Sequence, residues 1–255
     1  MLLTVDIGNT NILFGLFHKE KIVLEARLAS DTKRTKEQYA LDIKGICNLK
    51  NISLDDVDGA IISSVVPELT NSIKDAIQIL TPVSPLVVGP GVKSGLHIKI
   101  DNPVQLGADL VAGAVGAIEK FPLPCLVMDL GTATKISVID KNGAFLGCTI
   151  SAGVGISLKA LSGSAALLPT VNLNLQECPA FGTNTVASMQ AGIILGTAAM
   201  LDGLCERIEE SLGYSVASIV STGGLAQNIT KHCKREVTYE PDLILYGLKA
   251  IYYKN

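Results

Sequence analysis

Three aspartates stand where the surrounding residues could support chemistry. Asp6 closes an apolar opening run and is followed by Ile7-Gly8-Asn9-Thr10-Asn11. Asp129 closes a second such run and is followed by Leu130-Gly131-Thr132-Ala133-Thr134, while Asp109 lies between the two. A strand ending in Asp-x-Gly with small polar residues suits phosphate chemistry. Gly8 lets backbone N–H groups approach an oxyanion, Asn9, Thr10 and Asn11 add neutral donors, and Asp6 can hold a divalent cation directly or through water. One copy alone reads better as an ordinary β-turn, where Gly, Asn and Thr are common. The second copy, with Asp129, Gly131, Thr132 and Thr134, reverses that balance. It predicts two facing half-domains that hold an anionic ligand. Neither a Walker loop nor a GxGxxG pattern occurs.

Asp109 is the candidate catalytic carboxylate. Asn102-Pro103 offers an N-cap followed by proline at the first helical position, which predicts a helix over Val104–Lys120. On that helix Asp109 shares a strip with Gln105, Ala112, Gly113 and Gly116, and the glycines leave room for another backbone. A carboxylate on a nearly apolar helix is desolvated and suited to accept a proton from an alcohol. A charge at a partly solvated edge would look the same on a helical wheel. Ser221-Thr222-Gly223-Gly224 is a third glycine turn, open either to a flat ring or ribose or to plain strand-to-helix geometry. His18, His97 and His232 lack any catalytic partner pattern.

The elements that must position these residues follow from periodicity and turn chemistry. Each Asp-x-Gly segment reads as the first turn of a β-hairpin, returning through Ile12–Phe17 and Ile136–Ile139. Ile22–Leu28 alternates like a strand, and Thr35 with Gln38 forms a capping box for a helix to Cys47. Strands are expected at Asp58–Val66, Pro85–Val88, Cys125–Asp129 and Val216–Val220, with another in the region Gly147–Gly155. Helices are expected at Leu69–Leu80 and Ile156–Ala166, from Phe181–Thr185 to Leu212, and at Asp242–Tyr253. This alternation predicts an α/β protein with a mixed or parallel sheet. Phe121-Pro122-Leu123-Pro124 marks the domain boundary, giving halves 1–120 and 121–255.

Composition narrows the function. The 255 residues are 48% hydrophobic and 18% charged, with a formal net charge of −3 and no basic block. Nothing in that pattern favours nucleic acid or an acidic membrane. No uninterrupted apolar run reaches about 18 residues, and the first residues read as a strand, so a cytoplasmic protein without a membrane span is expected. The six cysteines are scattered without metal-ligand spacing and read as thiols in a reducing compartment.

The order D-I-G-N-T, I-S-S-V-V-P, N-P-x-x-L-G-A-D, D-L-G-T-A-T, G-x-N-T and S-T-G-G-L-A resembles the type III pantothenate kinases along essentially the whole chain. The resemblance implies a duplicated, ribonuclease-H-like (actin-like) fold. It also implies ATP-dependent phosphorylation of pantothenate to 4′-phosphopantothenate, the first step of coenzyme A synthesis. Mg²⁺, a monovalent cation (K⁺ or NH₄⁺) and a homodimer come with it. By position, Asp6, Gly8, Asn9, Thr10 and Asn11 resemble the first phosphate loop, and Thr132 an ATP contact. Gly107, Ala108 and Asp109 resemble a substrate segment with Asp109 as the base. Asp129 resembles the monovalent-cation ligand, Thr185 a pantothenate contact, and Ser221–Ala226 the adenosine-side loop. Three positions depart from the family pattern: Leu110 where Arg is usual, Ile100 where Tyr is common, and Leu167 where a basic residue is usual. They leave two alternatives open: a kinase for another hydroxylated acceptor, or a non-catalytic ATP-binding protein such as a transcriptional accessory protein.

Overall fold

The computed structural model describes residues 1–165, 167–174 and 177–255. The chain opens with β1 (Leu2–Ile7), β2 (Asn11–His18) and β3 (Lys21–Ala29), then α1 (Lys36–Leu49), β4 (Gly59–Ser64), α2 (Pro67–Leu80) and β5 (Leu86–Val87). It continues with β6 (His97–Ile98), α3 (Ala108–Lys120), β7 (Cys125–Leu130), β8 (Ala133–Ile139), β9 (Ala144–Ala152) and α4 (Val154–Ser164). Last come α5 (Thr185–Leu212), β10 (Ser218–Thr222), α6 (Ala226–Thr230), β11 (Thr238–Tyr239) and α7 (Leu243–Tyr252).

Two sheets carry one topology twice. The first runs β3-β2-β1-β4-β5, and the second runs β9-β8-β7-β10-β11 with β6 added beyond β9. In each, the hairpin strands pair antiparallel while the later strands add in parallel on the other side of the opening strand. The duplication expected from the two Asp-x-Gly hairpins therefore extends through five strands of each sheet.

The first compact unit comprises Met1–Leu96, Asp101–Glu119 and Leu243–Asn255. Alternating apolar residues of β1 and β2 bury Val5, Ile7, Ile12 and Phe14 against Leu69, Ile73 and Ile77 of α2. The expected capping box opens α1: Thr35 accepts from the Gln38 backbone, and the Gln38 side chain accepts from Thr35 N–H. Tyr39 is fully buried, and its hydroxyl accepts from Asp31 N–H and donates to Asp31 O.

The last helix belongs to this first unit, whereas chain order alone assigned all of 121–255 to the second half. Glycine packing is the physical reason. A Cβ on Gly116 of α3 would overlap the Leu243 carbonyl oxygen, and one on Gly247 of α7 would overlap that of Ala112. Two backbones approach this closely only where side chains are missing. The glycine strip of α3 thus receives α7. The start of α3 also differs from expectation. Asn102 makes no side-chain cap bond, and Pro103–Gln105 forms only a 3₁₀ turn. Leu106 is extended, and the Gly107 carbonyl accepts the first helical bond from Val111 N–H at 3.1 Å. The helix therefore begins at Ala108.

The second unit comprises His97–Ile100 and Lys120–Asp242. Leu126, Met128 and Ile136 of its hairpin pack with Ile194, Leu201 and Cys205 of α5 and with Ile229 of α6. By length and composition alone α5 is apolar enough to cross a membrane, yet these residues place one of its faces in the core. Asn184 caps it, accepting from Ala187 N–H at 3.0 Å, and Gly213 ends it in a left-handed conformation with φ 73°. The helix expected over Ile156–Ala166 is found as α4, with Ala166 outside the described residues.

Candidate active site

In the first unit the site grows from the carboxyl end of β1. Asp6 precedes the last strand residue, is half-buried, and pairs in register with Leu13 of β2 and Ser63 of β4. Gly8 N–H donates to Asn11 O at 3.0 Å, and Gly8 O accepts from Ser30 Oγ. The glycine is thus spent on bracing the turn, and Asn9, Thr10 and Asn11 are left exposed. The register partner of Asp6, Ser63, is fully buried, and its hydroxyl has no partner among the described residues. An acidic oxygen, exposed amide and hydroxyl groups and an orphaned buried hydroxyl form a donor set that fits a hydrated divalent ion and its phosphates.

Asp109 occupies the first turn of α3, where a carboxylate is favoured by the exposed N–H groups. It is half-buried, and its Oδ1 accepts from Leu110 N–H at 2.8 Å. Gly107 makes room for it, since a Cβ there would stand 2.5 Å from Asp109 Oδ1. That same Cβ would lie 3.7 Å from Val65, whose N–H donates to Ile7 O at 3.0 Å. The first turn of α3 therefore sits beside the strand end that carries Asp6, within one unit. Leu110 and Ile100 are half-buried. Leu167 is exposed.

In the second unit the same geometry recurs with different side chains. Gly131 N–H donates to Ala133 O at 3.1 Å, closing a loop one residue shorter than the first. Asp129 pairs in register with Thr222 of β10 and with Lys135 of β8. The Lys135 ammonium lies 2.8 Å from Asp129 Oδ2. A Cβ on Gly153 would overlap the Thr132 carbonyl oxygen, and one on Gly223 (φ 99°) would stand 2.7 Å from the Leu130 backbone. Thr132 and the two glycine turns are thereby brought together beside the end of β7 that carries Asp129. Thr185 lies at the start of α5, in an open groove of about 750 Å³ lined by Leu161, Leu168, Thr183, Met189 and Ile193.

Sequence reasoning missed two groups. Lys135 went unnoticed because the return strand was read from Ile136. Counting back through the hairpin places it opposite Asp129. Ser63 sits in an apolar strand, and only the β1–β4 register reveals it. The cysteines form no disulfide among the described residues, and burial pushes the Cys125 thiol up to about 11 and that of Cys205 to about 12. No metal-binding cluster of His, Cys, Asp and Glu occurs among the described residues.

The duplicated sheets and their Asp-x-Gly loops define an α/β fold of the class shared by actin-like ATPases and sugar kinases. Among solved structures, a conserved Baf family transcriptional activator from Campylobacter jejuni matches with a TM-score of 0.64 at 20% identity, covering 99% of this chain and 98% of that one. The activator of 2-hydroxyisocaproyl-CoA dehydratase from Clostridium difficile, solved with ADPNP bound, matches with a TM-score of 0.60 at 16% identity, covering 99% and 93%. At those identities the likeness concerns the fold alone.

Sequence carries the assignment further. The family model for type III pantothenate kinase matches residues 2–207. A type III pantothenate kinase from Exiguobacterium sp. is 37% identical over 255 residues, covering 100% of this chain and 99% of the relative. The chain belongs to the type III pantothenate kinase family. It is a kinase, an ATP-using transferase of coenzyme A biosynthesis.

Proposed function

We propose that this chain carries out its family's reaction, the transfer of the γ-phosphoryl group of ATP to the primary hydroxyl of pantothenate, with Asp109 as the base. The observation that carries this reading is the seating of Asp109 beside the end of β1, in space that Gly107 leaves free. A carboxylate held at the first turn of α3 by Leu110 N–H is oriented to accept a hydroxyl proton. Asp6, with Asn9, Thr10 and Asn11, holds the phosphate end, and Mg²⁺ bound there supplies charge neutralisation. Thr132 and the turn at Gly223 hold the nucleotide. Gly107, Ala108 and Thr185 contact the acceptor. Phosphoryl transfer asks little covalent work of the protein, so positioning of the two substrates is its main task.

Asp129 belongs to the same reading as the carboxylate for a monovalent cation, and its charge is already met by the Lys135 ammonium. The protein acts as a cytoplasmic homodimer, which sedimentation of the purified chain would check. Release of ADP on addition of pantothenate tests the reaction. Leu110, Ile100 and Leu167 favour a second reading, in which another hydroxylated metabolite is the acceptor. Other hydroxylated carboxylic acids belong in the same assay: a response to one of them alone would replace pantothenate. Silence with every acceptor, despite nucleotide binding, would leave a regulatory ATP-binding protein.

A further inference from the structure

The two Asp-x-Gly hairpins differ in what stands across the strands from the aspartate. Asp6 of β1 faces Leu13 of β2, whereas Asp129 of β7 faces Lys135 of β8. Opposite residues on one face of an antiparallel pair stand close enough to interact directly. Here they do so as an ion pair, Nζ to Oδ2 at 2.8 Å, with side chains only 14% and 17% exposed. Its surroundings belong to the candidate nucleotide site. A Cβ on Gly131 would lie 3.4 Å from Asp129 Oδ1, Thr132 follows directly, and the register partner Thr222 leads into the Gly223 turn.

We propose that the Lys135 ammonium is the built-in monovalent cation of this kinase. It occupies the place beside Asp129 that a free potassium or ammonium ion would take, so nucleotide binding needs no added monovalent ion. The inference rests on the kinase reading of the Asp129 loop. The residues present do not fit a second, free cation there. Such an ion would have to displace a single positive charge already in contact with the carboxylate. Displacing it would break a largely buried ion pair, and breaking such a pair is costly. A tethered ammonium also has an effective concentration at the site that a dissolved ion reaches only at high salt.

The test compares the wild type with Lys135→Ala and Lys135→Gln in tetramethylammonium, potassium and ammonium chlorides of equal ionic strength. Affinity for a non-hydrolysable ATP analogue is read by calorimetry, and the melting temperature is read without nucleotide. The wild type is expected to bind the analogue equally in all three salts. Lys135→Ala is expected to lose about tenfold or more in tetramethylammonium and to regain it in potassium, ammonium or methylammonium. Its melting temperature should rise selectively in potassium, with no such rise in the wild type. A wild type whose affinity climbs about tenfold with potassium or ammonium would overturn the proposal. So would two Lys135 variants indifferent to the salt in both readouts, which would make the pair a plain structural bridge. If no salt supports nucleotide binding, the kinase reading fails, and the melting arm still decides whether Lys135 fills a cation site.

Discussion

Gly107 and Asp109 divide one small space: a Cβ on the glycine would stand 2.5 Å from the aspartate Oδ1. The carboxylate holds its present place in space that the residue two positions earlier leaves open. Gly107→Ala should therefore shift Asp109 rather than unfold the protein. We expect kcat to fall by about 10–100-fold, the scale on which small misplacements of reacting groups act. The melting temperature should stay within a few degrees of the wild type. Steady-state kinetics and a thermal melt check both halves, and unchanged turnover would show that Asp109 tolerates the crowding.

The second prediction concerns the return of the chain to its first unit. Gly247 of α7 meets the Ala112 carbonyl of α3 with no room for a methyl group. Gly247→Ala should destabilise the protein by about 1–3 kcal/mol, the usual cost of overpacking, because only rigid backbone stands in the way. Denaturant unfolding measures this. Gly192→Ala on α5 is a control, since a Cβ there meets nothing within 4 Å.

A third prediction links stability to pH. The Arg235 guanidinium holds both oxygens of Glu209, at 2.7 and 2.8 Å, and Val216 N–H adds a bond at 2.8 Å. These bonds, led by Arg235, hold the Glu209 carboxyl below its ordinary range against an opposing effect of burial. A carboxylate with a lowered folded-state pKa contributes stability above its unfolded pKa, near 4.3, and that contribution is lost as pH falls through the folded value. Glu209→Gln should cost about 1–2 kcal/mol at pH 7, the lower part of the range for charge-assisted bonds because Arg235 is partly open to solvent. The difference from the wild type should shrink in acid below the folded-state pKa. A constant difference across the whole range would contradict the assignment.

The parts of the molecule legible in the sequence are those set by local rules. The Asp-x-Gly hairpins announce themselves by apolar runs broken at a glycine turn, and Thr35 with Gln38 announces the start of α1. The same rules misplace the start of α3. The Asn102-Pro103 signal is strong, but the chain straightens at Leu106 and the helix takes Gly107 as its first carbonyl. The fate of α7 is a matter of long-range packing. Gly116 shows that some backbone comes close, and nothing local to it says that the backbone is 243–252. Lys135 illustrates the remaining gap. Its type is visible, but its meaning depends on a register in which one residue more or less in the turn would turn it away from Asp129.

Asp109→Asn isolates the proton transfer assigned to Asp109 in ATP-dependent phosphorylation. The variant keeps the size of the side chain and an oxygen for Leu110 N–H while removing the base. Turnover of pantothenate, followed as ADP release, should fall by about 10²–10⁴-fold, while the dissociation constant for a non-hydrolysable ATP analogue stays unchanged. Turnover equal to that of the wild type would remove Asp109 from the mechanism.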